Sequence, residues 1–302
     1  MSDAIALVEQ GLRDHAGHRA FDVPRERTRT PLGTLNILQG SAPPAGVAGY
    51  KAYYATPHGS RSHIYLYHAV SGEPLALIEA NFFNVVRTGA ATGVATRHLA
   101  RGDGAIVGQI GAGRIGSGQL EAVCAVRRVR RARVYARTRD KLEDFCRVMA
   151  DRLGIEIVPA VSAEAAVRGA DIVNLITRSA TPVLVGAWIE PGQHINAAGS
   201  NLLTRRELDR DAVQRCDVVA VDSRETARRE CGDLLPLVEA GQLQWEALPE
   251  LGEVMVGMRP GRVSNEQVTL YESHGMAIED LYVAAKVLEL ARAQGLGRAL
   301  QT

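Results

Sequence analysis

Residues 105–110, Ala-Ile-Val-Gly-Gln-Ile, run directly into Gly111-Ala112-Gly113-Arg114-Ile115-Gly116. A short apolar strand, a G-x-G-x-x-G turn and a helical pattern follow one another in the order a dinucleotide site requires. Gly111 allows a sharp turn. Gly113 removes a side chain so that backbone can approach a pyrophosphate, and Gly116 lets the new helix pack on the strand. The amide N–H groups of the helix N-terminus then face the phosphates, with Arg114 and Ile115 in its first turn. Glycines at this spacing are weak evidence alone; the strand before and the helix after make them specific. Three further stretches carry cations in places where charge is costly. Gly49-Tyr50-Lys51-Ala52-Tyr53 sets one lysine in an apolar, aromatic strand. Asn84-Val85-Val86-Arg87-Thr88-Gly89-Ala90-Ala91 sets an arginine at the mouth of a small-residue helix. Arg25, Arg27 and Arg29 alternate between Pro24 and Pro31, so an extended strand presents all three on one face. Taken singly, each of these reads as a snorkelling or surface cation, and only Lys51 is equally well read as functional.

The elements that position these residues are legible in outline. Beyond the glycine loop, helical pattern at 117–126, 141–153 and 163–168 alternates with strand pattern at 132–136, 155–158, 171–176, 194–198 and 217–221. Such alternation predicts an α/β fold with a doubly wound, Rossmann-type parallel sheet. About a hundred residues precede it and read differently. Residues 3–15 form an amphipathic helix, 33–38, 49–55 and 62–68 are β-like, and Ser71-Gly72-Glu73 suits a turn. This is a second, partly antiparallel α+β layer. Residues 86–99 are a small-residue helix, and 276–294 form a long helix returning to the N-terminal layer, which makes that domain discontinuous: 1–100 with 277–302, around a dinucleotide domain at 101–276.

The chain has 302 residues, is 46% hydrophobic and carries a formal net charge of +1. It is long enough for two cores, and no excess of charge favours nucleic acid or a membrane surface. The basic run Arg127-Arg128-Val129-Arg130-Arg131 reads as a solvated helix end and turn. Four cysteines without C-x-x-C spacing read as thiols of a reducing compartment. With no signal-peptide pattern and no long apolar run, the expected location is the cytoplasm. His58, His63 and His68 lie five apart and make no metal site, so no metal is expected.

Cofactor choice rests about 20 residues past the fingerprint, at Tyr135-Ala136-Arg137-Thr138-Arg139-Asp140. Arg137 and Arg139 flank Thr138, and a guanidinium fork on a 2′-phosphate is worth about 1–3 kcal/mol. NADP(H) is therefore preferred. The competing reading gives the ribose to Asp140 and leaves NAD(H).

Together these stretches resemble the ornithine cyclodeaminase / mu-crystallin family, which includes cyclodeaminases, an alanine dehydrogenase branch and ketimine reductases. The resemblance covers nearly the whole chain. Its most specific part is Arg87-Thr88-Gly89-Ala90-Ala91, then Ala95-Thr96-Arg97-His98-Leu99-Ala100-Arg101 and the fingerprint. Gly49-Tyr50-Lys51, Asp217 to Ser223 and Val268 to Asp280 add to it. The resemblance implies a dimerisation and substrate domain built from the N-terminal layer and the last helix, a homodimer, and a small amino- or imino-acid substrate between that domain and the nicotinamide. It assigns the substrate carboxylate to Arg27, Lys51 and Arg87, with Arg29 competing for the first position, and lets Lys51 also donate a proton. Ser273 and Gly275 fall in the C-terminal motif that approaches the nicotinamide. His274 between them tunes proton supply or is a packed imidazole, and Asp222 caps its strand or touches the cofactor. Asn201 stands where cyclodeaminases carry an aspartate. An amide accepts no proton at neutral pH, which favours net reduction of an α-imino acid over cyclodeamination. Asn201 as a simple turn cap is the alternative. The expected activity is thus an NADP(H)-dependent reductase of cyclic ketimines, such as pyrroline-2-carboxylate, or of imines formed from α-keto acids. A cyclodeaminase with tightly bound NAD and a non-catalytic ligand-binding protein are the other candidates.

Overall fold

Helix α1 (Ser2–Ala16) leads into an antiparallel meander of β1 (Phe21–Thr30), β2 (Gly33–Ala42), β3 (Val47–Thr56), β4 (Gly59–His68) and β5 (Pro74–Glu79), followed by helix α2 (Phe83–Leu99). These assignments come from a computed structural model, which describes residues 1–299. The five strands pair in sequence order, and every pairing is antiparallel. The layer is therefore more regular than its sequence suggests: β1, read only as an extended stretch around its three arginines, is a full strand, and β5 lies outside the segments read as strand-like. Their alternation is masked by arginines and a proline in one and by a near-continuous apolar run in the other.

One face of this sheet is buried. Asn36 and Leu38 on β2, Val47 and Lys51 on β3, and Ser62, Ile64 and Leu66 on β4 all point into it, with the two-residue period of a half-covered sheet. The C-terminal helix (Ala277–Ala293) lies on that face: a Cβ at Gly49 would come within 3.2 Å of Leu281 Cδ2. The other face stays open and carries Leu35, Tyr54, Tyr65 and Leu77, all exposed, with Tyr50 and Tyr65 stacked at 5.1 Å between ring centroids.

The second sheet is built from β6 (Ile106–Ile110), β7 (Arg131–Tyr135), β8 (Glu156–Pro159), β9 (Ile172–Leu175), β10 (His194–Ala197), β11 (Val218–Val221) and β12 (Thr269–Glu272). Its helices are α3 (Arg114–Val126), α4 (Arg139–Leu153), α5 (Ala163–Val167), α6 (Arg210–Gln214), α7 (Arg224–Glu230), α8 (Leu235–Glu239) and α9 (Leu251–Met255), and the C-terminal helix is α10. The strand order β11-β12-β10-β9-β6-β7-β8 is wholly parallel, as the alternation predicts. The late strand β12, half polar yet fully buried, inserts between β11 and β10. Chain direction across the sheet reverses at β6, between β7 and β9, which is where such sheets bind ligands.

By compactness the chain forms two units: Met1–Ala6 with Asn84–Gly275, and Leu7–Phe83 with the chain from Met276 on. Helix α2 thus belongs with the parallel sheet. A Cβ at Gly89 would lie 2.3 Å from Gly118 O on α3, so glycine is required where these two helices touch.

Buried polar groups inside the parallel sheet satisfy one another. Gln109 Nε2 donates to Gly111 O at 2.9 Å, Asn174 Nδ2 reaches Gln109 Oε1 at 3.4 Å, and Asn196 Nδ2 donates to Asn174 Oδ1 at 3.0 Å. His194 closes the row between Asn196 Oδ1 at 3.0 Å and Thr269 Oγ1 at 2.9 Å. Burial pushes this imidazole down to about 3. In the basic run at 127–131, Arg128, Arg130 and Arg131 are exposed, as the solvated reading expects, and only Arg127 departs from it. Arg127 is half-buried, and its guanidinium donates to the carbonyls of Thr96 at 2.8 Å, Ala100 at 2.9 Å and Arg101 at 3.1 Å. It caps the end of α2, whose last carbonyls have no helical partner. Among the described residues no helix is long and apolar enough to cross a membrane.

Candidate active site

The glycine loop gives each of its glycines a separate task. Gly111 turns with φ +118°, and a Cβ there would sit 2.4 Å from Ile176 O. Gly113 is the N-cap of α3, no side chain caps that helix, and a Cβ built on it meets nothing within 4 Å. The first amide N–H groups of α3 are thus open to an anion, and the space beside Gly113 admits a pyrophosphate against bare backbone. Gly116 is buried, and a Cβ there would lie 2.9 Å from Gln109 Nε2 and 2.8 Å from Gly111 O. Its absence of side chain therefore also protects the hydrogen bond that ties the loop to the buried amide row. Arg114 is exposed and Ile115 half-buried. After β7, Arg137 and Thr138 are exposed. Helix α4 begins two residues earlier than its pattern suggests, so Arg139 lies in its first turn and pairs with Glu143 at 2.8 Å. These residues fit a dinucleotide: bare backbone and helix amides for the pyrophosphate, exposed cation and hydroxyl for the adenosine end.

The C-terminal motif is held by Asp222. Its carboxylate, at the end of β11, accepts the backbone N–H groups of His274 at 2.5 Å, Gly275 at 2.6 Å and Ser223 at 2.8 Å. Asp222 therefore caps the loop, and His274 is a buried imidazole with Nδ1 3.4 Å from Asp222 Oδ1. Burial alone would raise this carboxyl; the bonds and charge of His274 and the loop amides hold it below its usual range. Ser273, also buried, precedes His274, and Gly275 follows with φ +87°. A Cβ on Gly275 would come 3.0 Å from Arg87 Nη1 and 3.3 Å from Nη2. The guanidinium of Arg87 thus packs flat against the one residue of the motif that offers no side chain. Behind the loop, donor atoms of Cys231, Glu272 and His274 all lie within 4.8 Å of one another, fully buried. The spacing of the other histidines gives no hint of this grouping. Burial raises the Cys231 thiol and the Glu272 carboxyl well above their ordinary ranges.

Lys51 lies in the five-stranded sheet, 3% exposed, with Nζ 2.7 Å from Asp280 Oδ2. Asp280 is 1% exposed and supplies the counter-charge from α10. Sequence reasoning passed over it. Its signal is faint but present: an acid in the first turn of a helix whose residues Ala277 to Ala284 are all buried. Arg27 is half-buried opposite Asn36, which pairs in turn with Tyr53, so Arg27 and Lys51 share the covered face. The three arginines of β1 do not behave alike. The register slips between Val23 and Glu26, which puts Arg25 in a bulge and buries it, while Arg29 is exposed. Asn201 is half-buried on the loop that leaves β10.

The sequence model of the ornithine cyclodeaminase/mu-crystallin family matches residues 46–295. The chain belongs to that family. A Delta(1)-pyrroline-2-carboxylate reductase of Bacillus cereus is 32% identical over 313 residues, spanning 100% of this family member and 95% of its own length. The structure of the Delta(1)-pyrroline-2-carboxylate reductase of Thermococcus litoralis, in complex with NADH and L-proline, superposes with a TM-score of 0.94 at 33% identity over 99% of this chain and 96% of that one. An archaeal alanine dehydrogenase dimer with bound NAD gives the same TM-score at 30% identity, over 100% and 94% of the two chains.

Proposed function

We propose that the protein reduces the C=N bond of α-imino acids, with a nicotinamide dinucleotide as hydride donor. The observation that carries this reading is the pairing of a dinucleotide cradle at Gly111–Gly116 with an Arg87 guanidinium seated on Gly275 in the same unit. Likeness along the whole chain to pyrroline-2-carboxylate reductases supports it. With its pyrophosphate in the cradle, the reduced dinucleotide would supply a hydride from its nicotinamide end. Arg87, Lys51 and Arg27 bind and orient the substrate carboxylate, a bidentate guanidinium fixing its plane. Lys51 or water delivers the proton to nitrogen. Asn201, lacking an ionisable carboxyl, hydrogen-bonds rather than abstracts a proton, which favours reduction over cyclodeamination. Ser273 and Gly275 contact the nicotinamide end, and Gly111, Gly113, Arg114, Ile115 and Gly116 hold the pyrophosphate.

The preferred coenzyme is NADP(H). Arg137, exposed and next to the Thr138 N-cap, is the residue that reads the 2′-phosphate. Arg139 is engaged by Glu143 and contributes less. Replacing Arg137 by Ala raises KM for NADPH by about tenfold or more and leaves NADH nearly unchanged; equal effects on both would assign the site to NAD(H). The assembly is a homodimer formed through the open face of the antiparallel sheet, where Tyr50 and Tyr65 stack among exposed Leu35, Tyr54 and Leu77. Four free cysteines support a reducing compartment, the cytoplasm.

Oxidation of NADPH and NADH is the decisive assay, with pyrroline-2-carboxylate and larger cyclic imino acids set against pyruvate and other α-keto acids with ammonia or methylamine. The reading requires oxidation with at least one class. Ammonia release from ornithine without any such oxidation replaces it with cyclodeamination.

A further inference from the structure

We propose that Glu207 is a positioning residue whose carboxylate ties the carboxyl-terminal ends of β9 and β10 together and so fixes the loop that carries Asn201. The role of that loop rests on the imine-reductase reading; the tie is a matter of geometry. Thr177 N–H, just past β9, donates to Glu207 Oε1 at 2.6 Å, and Gly199 N–H, just past β10, donates to Oε2 at 2.7 Å. Glu207 is 1% exposed and its own backbone is anchored on both sides. Its N–H and that of Leu208 donate to Asp233 Oδ1 at 2.6 and 2.7 Å, and its carbonyl accepts from Val183 and Leu184 at 2.8 and 2.9 Å. The carboxylate is therefore held at a fixed point where the ladder between the two strands ends, one residue beyond the Ala198 N–H to Leu175 O bond at 3.0 Å.

Gly199 shows how close the fit is. A Cβ there would lie 2.4 Å from Glu207 Oε2 and 2.3 Å from Thr177 N. Toward the other strand, Ile176 N–H donates to Ile110 O at 3.0 Å, and Ile176 O packs where a Cβ of Gly111 would be. Glu207 thus adds a side-chain link, beyond the backbone ladder, from the glycine loop through Ile176 and Thr177 to Gly199 and hence toward Asn201. Such a link lies outside the carboxyl ends of β9 and β10, one strand from the point at β6 where the strand order reverses, the place where loop position matters most.

Glu207→Gln keeps the volume but turns an NH₂ toward one of the two N–H donors. A double-mutant cycle with Asn201→Ala, run on the holoenzyme, reads whether Glu207 acts through the loop. In the Asn201 background the Gln variant lowers kcat about tenfold while KM for the imino acid moves less than about threefold; in the Asn201→Ala background it lowers kcat less than about twofold. Losses that simply multiply would overturn the proposal. If the wild-type protein reduces no imine, the functional reading falls, and the tie is tested by amide hydrogen exchange instead. The Thr177 and Gly199 amides are then expected to exchange at least about tenfold faster in the Gln variant than in wild type. Equal rates overturn the tie. Should the variant not fold, wild-type protein alone decides: both amides protected supports the tie, and both exchanging like exposed loop amides overturns it.

Discussion

The two sheets place charge by opposite means. The seven-stranded parallel sheet is covered on both faces, so the polar side chains inside it meet one another in a lateral row, from His194 through Asn196 and Asn174 to Gln109. Its candidate chemistry sits at the strand ends and is made largely of backbone: open amides at Gly113, and loops pinned by Asp222 and Glu207 through main-chain N–H groups. The five-stranded antiparallel sheet has one covered face, and there Lys51 lies mid-strand among apolar neighbours. Its partner is Asp280, from a helix more than two hundred residues away in sequence. Strand ends position ligands with backbone and tolerate, even require, missing side chains. A charge in the middle of a sheet needs a second charge from another element.

The sharpest way to break this contrast is at Lys51. Lys51→Ala is expected to lower turnover about 10²–10⁴-fold with dinucleotide affinity unchanged, and to cost about 3–5 kcal/mol of stability because Asp280 is left buried without its counter-charge. Chemical denaturation separates the two effects. Lys51→Met combined with Asp280→Leu should recover the stability and none of the activity; recovered activity would remove Lys51 from the site.

The next effect belongs to the amide row. His194 is pushed from its ordinary 6.5 down to about 3 by burial. The unfolded chain takes up a proton near 6.5 that the folded one refuses. The contribution is therefore complete above pH 6.5 and declines as pH falls toward 3. Between pH 6.5 and 4.5 the wild-type protein is expected to lose about 2–3 kcal/mol from this residue, and His194→Gln to show a correspondingly flatter urea-denaturation profile. Identical pH slopes would show that the imidazole is not held neutral.

Two glycines test the strand-end half of the comparison. Gly275→Ala introduces a Cβ 3.0 Å from Arg87 Nη1 at a φ of +87°. Displacing that guanidinium should lower kcat/KM about tenfold to a hundredfold, worth about 1.4–2.7 kcal/mol. Unchanged kinetics would mean Arg87 does not orient substrate. Gly113→Val meets open space in the protein alone. It is expected to raise the dinucleotide Kd at least about tenfold while changing folding stability by no more than about 0.5 kcal/mol; fluorescence titration against thermal unfolding reads the difference.

The parallel sheet was largely legible from sequence because its strands are short apolar runs separated by helical periodicity, both local signals. The fingerprint, Arg87 and Lys51 were visible for a related reason: each is a residue type out of keeping with its immediate neighbours. Strand β12 was not legible, since Thr269 and Glu272 break its apolar pattern and only burial from both faces makes it a strand. Strand β1 was legible only as an extended stretch around its arginines, and its bulge at Pro24–Arg25 changed which arginine is buried. Within the run at 127–131, Arg128, Arg130 and Arg131 are solvated, as charge usually is. Arg127 instead finds the carbonyl end of α2, about thirty residues earlier, a meeting that no local pattern encodes.

Local order therefore determined the strand–turn–helix at Gly111–Gly116, the alternation that makes the sheet parallel, and the odd cations at positions 51 and 87, because each depends on neighbours within a few residues. Tertiary structure alone decided that Asp280 balances Lys51, that Asp222 and Glu207 pin the loops at the strand ends, and that Gly275 makes room for Arg87. Those arrangements arise from the need to satisfy each buried charge and amide, and the group that does so is whichever one the packing of distant elements brings within about 3 Å.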